Sequence, residues 1–280
     1  MEIFYVVFFF SFFQIKKIEI LDNQKISKQE IQNAIETQIK KKVIFWETKS
    51  IFLQNFKEIN KLLLNKFPVI EKTIFKRNFP DKIIVKIIER QAMGKYCEGN
   101  AEEKPLISHG ASGGQLNSEQ CYSFDKNGVI FELVENQEFS TSSMVEENNL
   151  VVKQDKSQNP VILGQKVFSK EILDLILKIQ NKIEKDLKIG INEFVVETGK
   201  ITAKTFEGWE IYFQTERVKT KTSFLFFRAS AENTKYFPLE GINLCLTKLQ
   251  LLLEKAIPIE KRKNLEYIDL RFTKAYYKYK

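Results

Sequence analysis

Within the first ninety residues the spacing of apolar side chains changes from the period of a strand to that of a helix and back, and few small folds accommodate that order of changes. Ile15, Ile18 and Ile20 lie in the short extended segment FQIKKIEIL. A turn at Asp22-Asn23 follows, and then Ser27 stands three residues before Glu30. That pair is the signature of a capping box, in which hydroxyl and carboxylate satisfy the free N–H groups at a helix start. The helix it opens carries Ile31, Ala34, Ile35 and Ile39 on one face. A second amphipathic helix is expected through Phe52, Phe56, Ile59 and Leu63, ending near Phe67-Pro68, with an apolar stripe that should cover a sheet. Strands over Val69–Lys76 and Ile83–Ile88 then flank a turn at Arg77-Asn78-Phe79-Pro80-Asp81. The order strand, helix, helix, strand, strand predicts a small α+β unit over residues 14–91, with both helices on one face of a three-stranded sheet.

From Gln91 onward the texture is that of strands and turns, so a second domain is expected over residues 92–280. Residues 99–120, rich in Gly, Ser, Asn and Glu, read as a flexible loop, and residues 135–149 also read as loop. Tyr122 to Phe131 is expected as strand with a turn at Asp125-Lys126-Asn127-Gly128. A long amphipathic helix is marked by Ile172, Ile176, Ile179, Ile183 and Leu187, with Ser169 as its cap and Gly190 as its end. Strands over Glu193–Glu197, Lys200–Phe206 and Trp209–Gln214 come next, the first two joined at Thr198-Gly199. A helix carrying Leu246, Leu249 and Leu253 precedes a final strand pair that ends at Tyr279. The class is therefore α+β, with the small unit followed by a mostly antiparallel β domain with flanking helices.

The first thirteen residues, MEIFYVVFFFSFF, are almost wholly apolar and stop at Gln14-Ile15-Lys16-Lys17. A full membrane span takes about 20 residues. The segment also lacks the basic start and small-residue cleavage site of a secretory signal. It is expected to be part of a truncated transmembrane anchor; the alternative is a buried apolar arm. The formal charge of +8 favours an anionic neighbour, although Lys is spread through every segment as it would be on a merely solvated surface. Of the three cysteines, Cys97 and Cys121 bracket a polar stretch, and a disulfide between them becomes chemically permitted if the chain lies outside the cytoplasm. Cys245 sits in a helical pattern and reads as buried.

Catalytic chemistry finds little support. Gly110-Ala111-Ser112-Gly113-Gly114 fits G-x-S-x-G, with His109 immediately before it. The flanks supply neither the strand nor the helix that would expose and activate such a serine. No phosphate-cradling loop and no His or Cys cluster with metal spacing is present in the sequence, so no catalytic residue, cofactor or metal is assigned. Basic residues are not gathered with stacking aromatics, so nucleic acid is not expected; with no catalytic or cofactor motif, no small-molecule substrate is expected either.

Four motifs in order resemble one known family. Phe79-Pro80, an alternating strand and Glu89-Arg90-Gln91-Ala92 resemble the end of the POTRA domain in FtsQ/DivIB cell-division proteins. Phe124-Asp125 with Gly128-Val129-Ile130-Phe131 looks like the first hairpin of that family's β domain. Gly208-Trp209-Glu210-Ile211-Tyr212-Phe213 and Tyr267-Ile268-Asp269-Leu270-Arg271-Phe272 are similar to its later strands. The loop between Cys97 and Cys121 and residues 215–241 depart from the pattern. The resemblance implies a single-pass cell-membrane protein, mostly extracytoplasmic, whose POTRA domain lies next to the membrane. Its β domain would bind FtsB-like and FtsL-like division proteins, and its role would be divisome assembly and support of septal peptidoglycan synthesis. A POTRA-containing secretion or outer-membrane assembly factor is the competing reading, but the repeated strands of a downstream barrel are not seen.

Independently of the family, the last strand is expected at a sheet edge, where unpaired backbone groups can accept a partner's strand. If it is regular, Leu265, Tyr267, Asp269, Arg271 and Thr273 share one face, while Glu266, Ile268, Leu270 and Phe272 fill the core on the other. The partner-binding set expected is Tyr267, Asp269, Arg271, Phe272, Thr273, Tyr276 and Tyr277. The bland alternative packs the tyrosines on the domain and leaves Lys274, Lys278 and Lys280 to blunt the edge.

Overall fold

A computed structural model describes residues 10–43, 46–98, 120–134, 150–154, 161–215 and 239–280. All but residue 120 of the expected loop at 99–120, the loop at 135–149, the His109/Ser112 motif and most of the apolar N-terminal run lie outside the described residues. The chain divides into two compact units. The first comprises Met1–Gln91 with the short stretches Ile130–Glu132 and Ile162–Gln165, and the second takes the remainder.

In the first unit β1 (Lys17–Leu21) leads into α1 (Lys28–Ile39) and α2 (Phe56–Lys66), with a small ladder of β2 (Lys41–Val43) and β3 (Trp46–Thr48) between the helices. β4 (Ile70–Asn78) and β5 (Lys82–Glu89) complete a sheet of order β1-β5-β4, in which β1 is parallel to β5 and β4 antiparallel to it. The capping box forms: the Ser27 hydroxyl accepts from the Glu30 N–H at 3.2 Å, and the Glu30 carboxylate accepts from the Ser27 N–H at 3.4 Å. Ile31, Ala34, Ile35 and Ile39 of α1 and Ile59 and Leu63 of α2 are buried against Ile83, Val85 and Ile87 of β5. Phe52 corrects the expected helix start. It precedes α2 and is 44% exposed, because Asn55 caps the helix by accepting from the Lys57 N–H at 3.1 Å. The β2–β3 ladder was not anticipated either, since three-residue strands carry too little periodicity to be read.

Polar side chains close this unit's backbone. Buried Gln54 donates to the carbonyls of Ile39 and Ser50, both at 3.0 Å, and so satisfies the end of α1. Arg77 donates to the carbonyls of Ile51 and Gln54, and its guanidinium lies 4.4 Å from the centre of the Phe56 ring. Glu89, at the end of β5, accepts from the N–H groups of Gln24 and Lys25 at 2.9 and 3.0 Å, fastening the turn that leaves β1.

The larger sheet, most of it in the second unit, has the order β14-β13-β12-β11-β10-β9-β6-β7-β8. Its strands are β6 (Gly94–Glu98), β7 (Cys121–Phe124), β8 (Ile130–Val134), β9 (Val151–Gln154), β10 (Ile191–Glu197), β11 (Lys200–Thr205), β12 (Glu210–Gln214), β13 (Leu265–Asp269) and β14 (Tyr276–Tyr279). Parallel junctions at β6/β9, β9/β10 and β12/β13 interrupt the antiparallel pairs. Two of them arise because parallel neighbours need a crossover. α3 (Lys170–Asn181) lies between β9 and β10 in the chain, and α4 (Leu239–Lys255) lies between β12 and β13. Phe194, Ile201, Ala203, Ile211, Phe213 and Ile268 are buried, as are Leu173, Leu175, Ile176 and Ile179 of α3 and Leu246, Leu249 and Leu253 of α4. Trp209 is fully buried, and its indole N–H donates to Glu207 at 2.9 Å.

Ser169 caps α3, accepting from the Ile172 N–H at 3.4 Å. The expected terminator is corrected. The helix passes through a π turn at Lys182–Asp186, and the residue with left-handed backbone is Lys188 (φ 57°) rather than Gly190. Gly190 answers to a different constraint, since a Cβ there would come within 2.8 Å of the Phe206 ring. Gly128 is demanded twice, by φ 76° and by the Phe168 carbonyl oxygen, which would stand 2.2 Å from a Cβ. Cys97 and Cys121 are directly opposed across β6 and β7 and joined by a disulfide. Cys245 is free and buried.

Candidate docking edge

β13 enters the sheet parallel to β12, with Ile211 opposite Ile268 and Tyr212 opposite Asp269. β14 returns antiparallel to it, with Ile268 opposite Tyr277 and Asp269 opposite Tyr276. Since β14 ends the sheet order, it has β13 on one side and no strand on the other among the described residues. Its outward N–H and C=O groups form the template that an added strand requires.

Alternation divides the side chains of this edge. Tyr277 lies on the same sheet face as buried Ile268, while Tyr276 and Lys278 lie on the face of Asp269 and Tyr267. Tyr276 and Tyr277 are 55% and 41% exposed. Tyr277 meets Tyr279 edge-on at 5.6 Å, and Tyr276 meets Phe272 edge-on at 5.8 Å. Lys278 pairs with Glu266 at 2.6 Å, and that hydrogen bond raises the lysine's pKa.

The turn between the two strands is held from several directions. The Asp269 carboxylate accepts from the Arg271 backbone N–H at 3.0 Å and from its guanidinium at 2.7 Å. Burial would raise the Asp269 pKa, but the hydrogen bonds and charge of Arg271 outweigh it and hold the carboxyl below its usual range. The Arg271 guanidinium also lies 5.5 Å from the centre of the Tyr212 ring, which stacks on Tyr267 at 5.3 Å. Burial and the hydrogen bond to Glu210 push the Tyr212 phenol well up. From the helix side, Lys248 donates to the Thr273 carbonyl at 2.7 Å.

This arrangement sorts the seven residues expected at the edge. Phe272, Tyr276 and Tyr277 are exposed aromatics, and Thr273 is exposed beside them. Tyr267, Asp269 and Arg271 are instead engaged with one another's neighbours, and Asp269 is only 6% exposed. Three expectations are corrected. The strand at Leu265–Asp269, expected at the edge, lies one strand in, paired with β12 on one side and β14 on the other. Phe272 does not fill the core: β13 stops at Asp269, so Phe272 falls in the following bend and is 56% exposed. Leu265 does not share the face of Tyr267, because the register shifts between them and Leu265 is fully buried. The residues that sequence reasoning missed are Tyr212 and Lys248, which support the turn from an earlier strand and from α4. No periodic signal marks either. Among the described residues no group of three His, Cys, Asp or Glu is placed to hold a metal ion.

The family model for the POTRA domain, FtsQ-type, matches residues 13–90. The matched stretch spans β1 to β5 and ends before β6. No curated protein matches the chain. An FtsQ-type POTRA domain points to a scaffold role in cell division. Residues 13–90 thus form a POTRA domain of the FtsQ type, and that match is consistent with the chain being an FtsQ/DivIB family protein.

Proposed function

We propose that the chain is a non-enzymatic divisome scaffold, anchored in the cell membrane by its N-terminal segment and mostly extracytoplasmic. It binds FtsB-like and FtsL-like partners by accepting a strand on β14, and through them supports septum assembly and septal peptidoglycan synthesis. The observation that carries this reading is the edge of β14, which pairs with no second strand among the described residues and is flanked by exposed Phe272, Tyr276 and Tyr277 beside a braced turn. Backbone pairing supplies affinity in strand addition, and side chains on alternate faces supply specificity. Aromatics whose turn is already fixed lose little freedom on binding. The Cys97–Cys121 disulfide supports an oxidising compartment. The FtsQ type of the POTRA domain favours a division scaffold over a secretion or outer-membrane assembly factor.

Calorimetric titration of the full chain with the extracytoplasmic segment of the same organism's FtsB-like protein tests this. Tyr276→Ala and Tyr277→Ala should each weaken binding by about 1–2 kcal/mol, roughly tenfold, with folding intact. Unchanged affinity in both variants would take the edge out of the binding site. Absence of binding by the folded wild-type chain would reject the partner.

A further inference from the structure

Five phenylalanine rings form one train where the N-terminal apolar run joins the first unit. Phe10 meets Phe12 at 6.4 Å, Phe12 meets Phe13 at 5.2 Å, Phe13 meets Phe52 at 5.2 Å and Phe52 meets Phe79 at 5.4 Å. Four of these rings are open to solvent: Phe10 at 48%, Phe12 at 52%, Phe52 at 44% and Phe79 at 54% exposure. They come from three separate places in the sequence, so their convergence is a product of the fold. Backbone bonds fix it. Ile51 N–H donates to the Phe13 carbonyl at 3.0 Å, Ile15 N–H to the Lys49 carbonyl at 3.1 Å, and Lys16 N–H to the Asp81 carbonyl at 2.9 Å. The segment that carries Phe12 and Phe13 is thereby pinned between the loops that carry Phe52 and Phe79.

A contiguous patch of this kind is unusual on a surface that meets only water, and it marks an interaction site. The chain itself argues for the occupant. The patch is continuous with the sequence MEIFYVVFF, in which Glu2 is the only charged side chain, and Lys16 and Lys17 follow after Gln14 and Ile15, both exposed, with Lys16 3.6 Å from Asp81. Aromatic rings flanked by lysines make up the composition that settles at the headgroup level of a bilayer, where flat rings sit among acyl-chain ends and ammonium groups reach the phosphates.

From this convergence we infer that Phe52 and Phe79, together with Phe10 and Phe12, seat the first unit in the headgroup layer of the membrane that receives the N-terminal run. The seat rests on the anchorage reading above and adds to it a second, folded contact with lipid. Such a contact restricts the swing of the unit about its anchor, which a flexible tether alone does not.

Site-directed nitroxides in the full chain, reconstituted in vesicles of phosphatidylethanolamine and phosphatidylglycerol, test the seat. Cys245 is buried and the other two cysteines are bonded, so Phe52→Cys, Phe79→Cys and, as control, Phe206→Cys each provide one accessible thiol for labelling. Phe206 is 74% exposed in the second unit. Labels at 52 and 79 are expected to collide more with oxygen than with a water-soluble nickel complex, with the reverse at 206. Vesicle-bound chain whose labels at 52 and 79 meet the nickel complex as freely as at 206 would overturn the lipid seat and leave the anchor standing. Labels shielded from both relaxants would also overturn it, by showing protein as the cover. Chain that does not float with the vesicles would overturn the anchor and the seat together.

Discussion

The two units use polar side chains for different ends. In the first, Gln54, Arg77 and Glu89 are spent on the backbone: each hydrogen-bonds a helix end, a loop carbonyl or a turn amide, and the sheet they serve has only three strands. In the second, charged groups pair across neighbouring strands. Glu193 on β10 takes Lys153 of β9 at 2.9 Å and Lys204 of β11 at 2.8 Å. A small sheet under two helices is closed by side chains that reach backbone groups far along the chain, whereas the wide sheet also holds its register by charge pairs between neighbouring strands. The lesson is that the first unit is tied by side chains bonded to backbone and the second by buried carboxylates paired with cations, so each should respond to damage of its own kind.

The strongest way to break that contrast is to damage one core and watch the other. Trp209→Ala removes the largest fully buried side chain of the second unit and should destabilise it by about 3–5 kcal/mol. Hydrogen exchange read by mass spectrometry should show lost protection in β10 to β13 and unchanged protection in α1, α2 and β5. Loss in both would merge the units into one cooperative body. Next in size is the disulfide, which closes a sequence separation of 24 residues. Cys97→Ser should lower the stability of the second unit by about 3 kcal/mol in chemical denaturation, with no effect on the first.

A smaller effect sharpens the account of lateral pairing. Burial raises the Glu193 pKa, but its hydrogen bonds to Lys204 and Lys153 outweigh that and bring it below the usual carboxylate range. The folded-state pKa is therefore the lower one. The stabilisation is present above the unfolded value of about 4.3 and is lost as pH falls below it through the folded value. Glu193→Gln should cost about 1–2 kcal/mol at neutral pH and shrink the stability lost on acidification. An unaltered acid profile would mean that the pair contributes nothing. Smallest is Ser27→Ala, which removes half of the capping box and should cost about 1 kcal/mol, read as a lowered midpoint for the first unit alone.

What was legible in the sequence follows the range of the interactions involved. The capping box at Ser27 and Glu30, the Ser169 cap, the tight turns at Gly128 and Gly199 and the apolar stripes of α1 and α3 are set among residues a few positions apart. Their chemistry is complete in a short stretch of chain, so the sequence by itself determined them and with them the order of elements. The exposed pair Tyr276 and Tyr277 was legible too, as part of a terminal strand. The tertiary structure alone decided which strands neighbour which, because parallel pairing of β9 with β10 and of β12 with β13 depends on how a crossover packs. It also decided the facing of the edge. One shifted position between Leu265 and Tyr267 buries Leu265, and the end of β13 at Asp269 releases Phe272. The brace of Arg271 against Asp269 and Tyr212 joins side chains from β12, β13 and the turn that follows. Registers, bulges and such braces are settled by packing between residues far apart in the chain, and no local pattern encodes that packing.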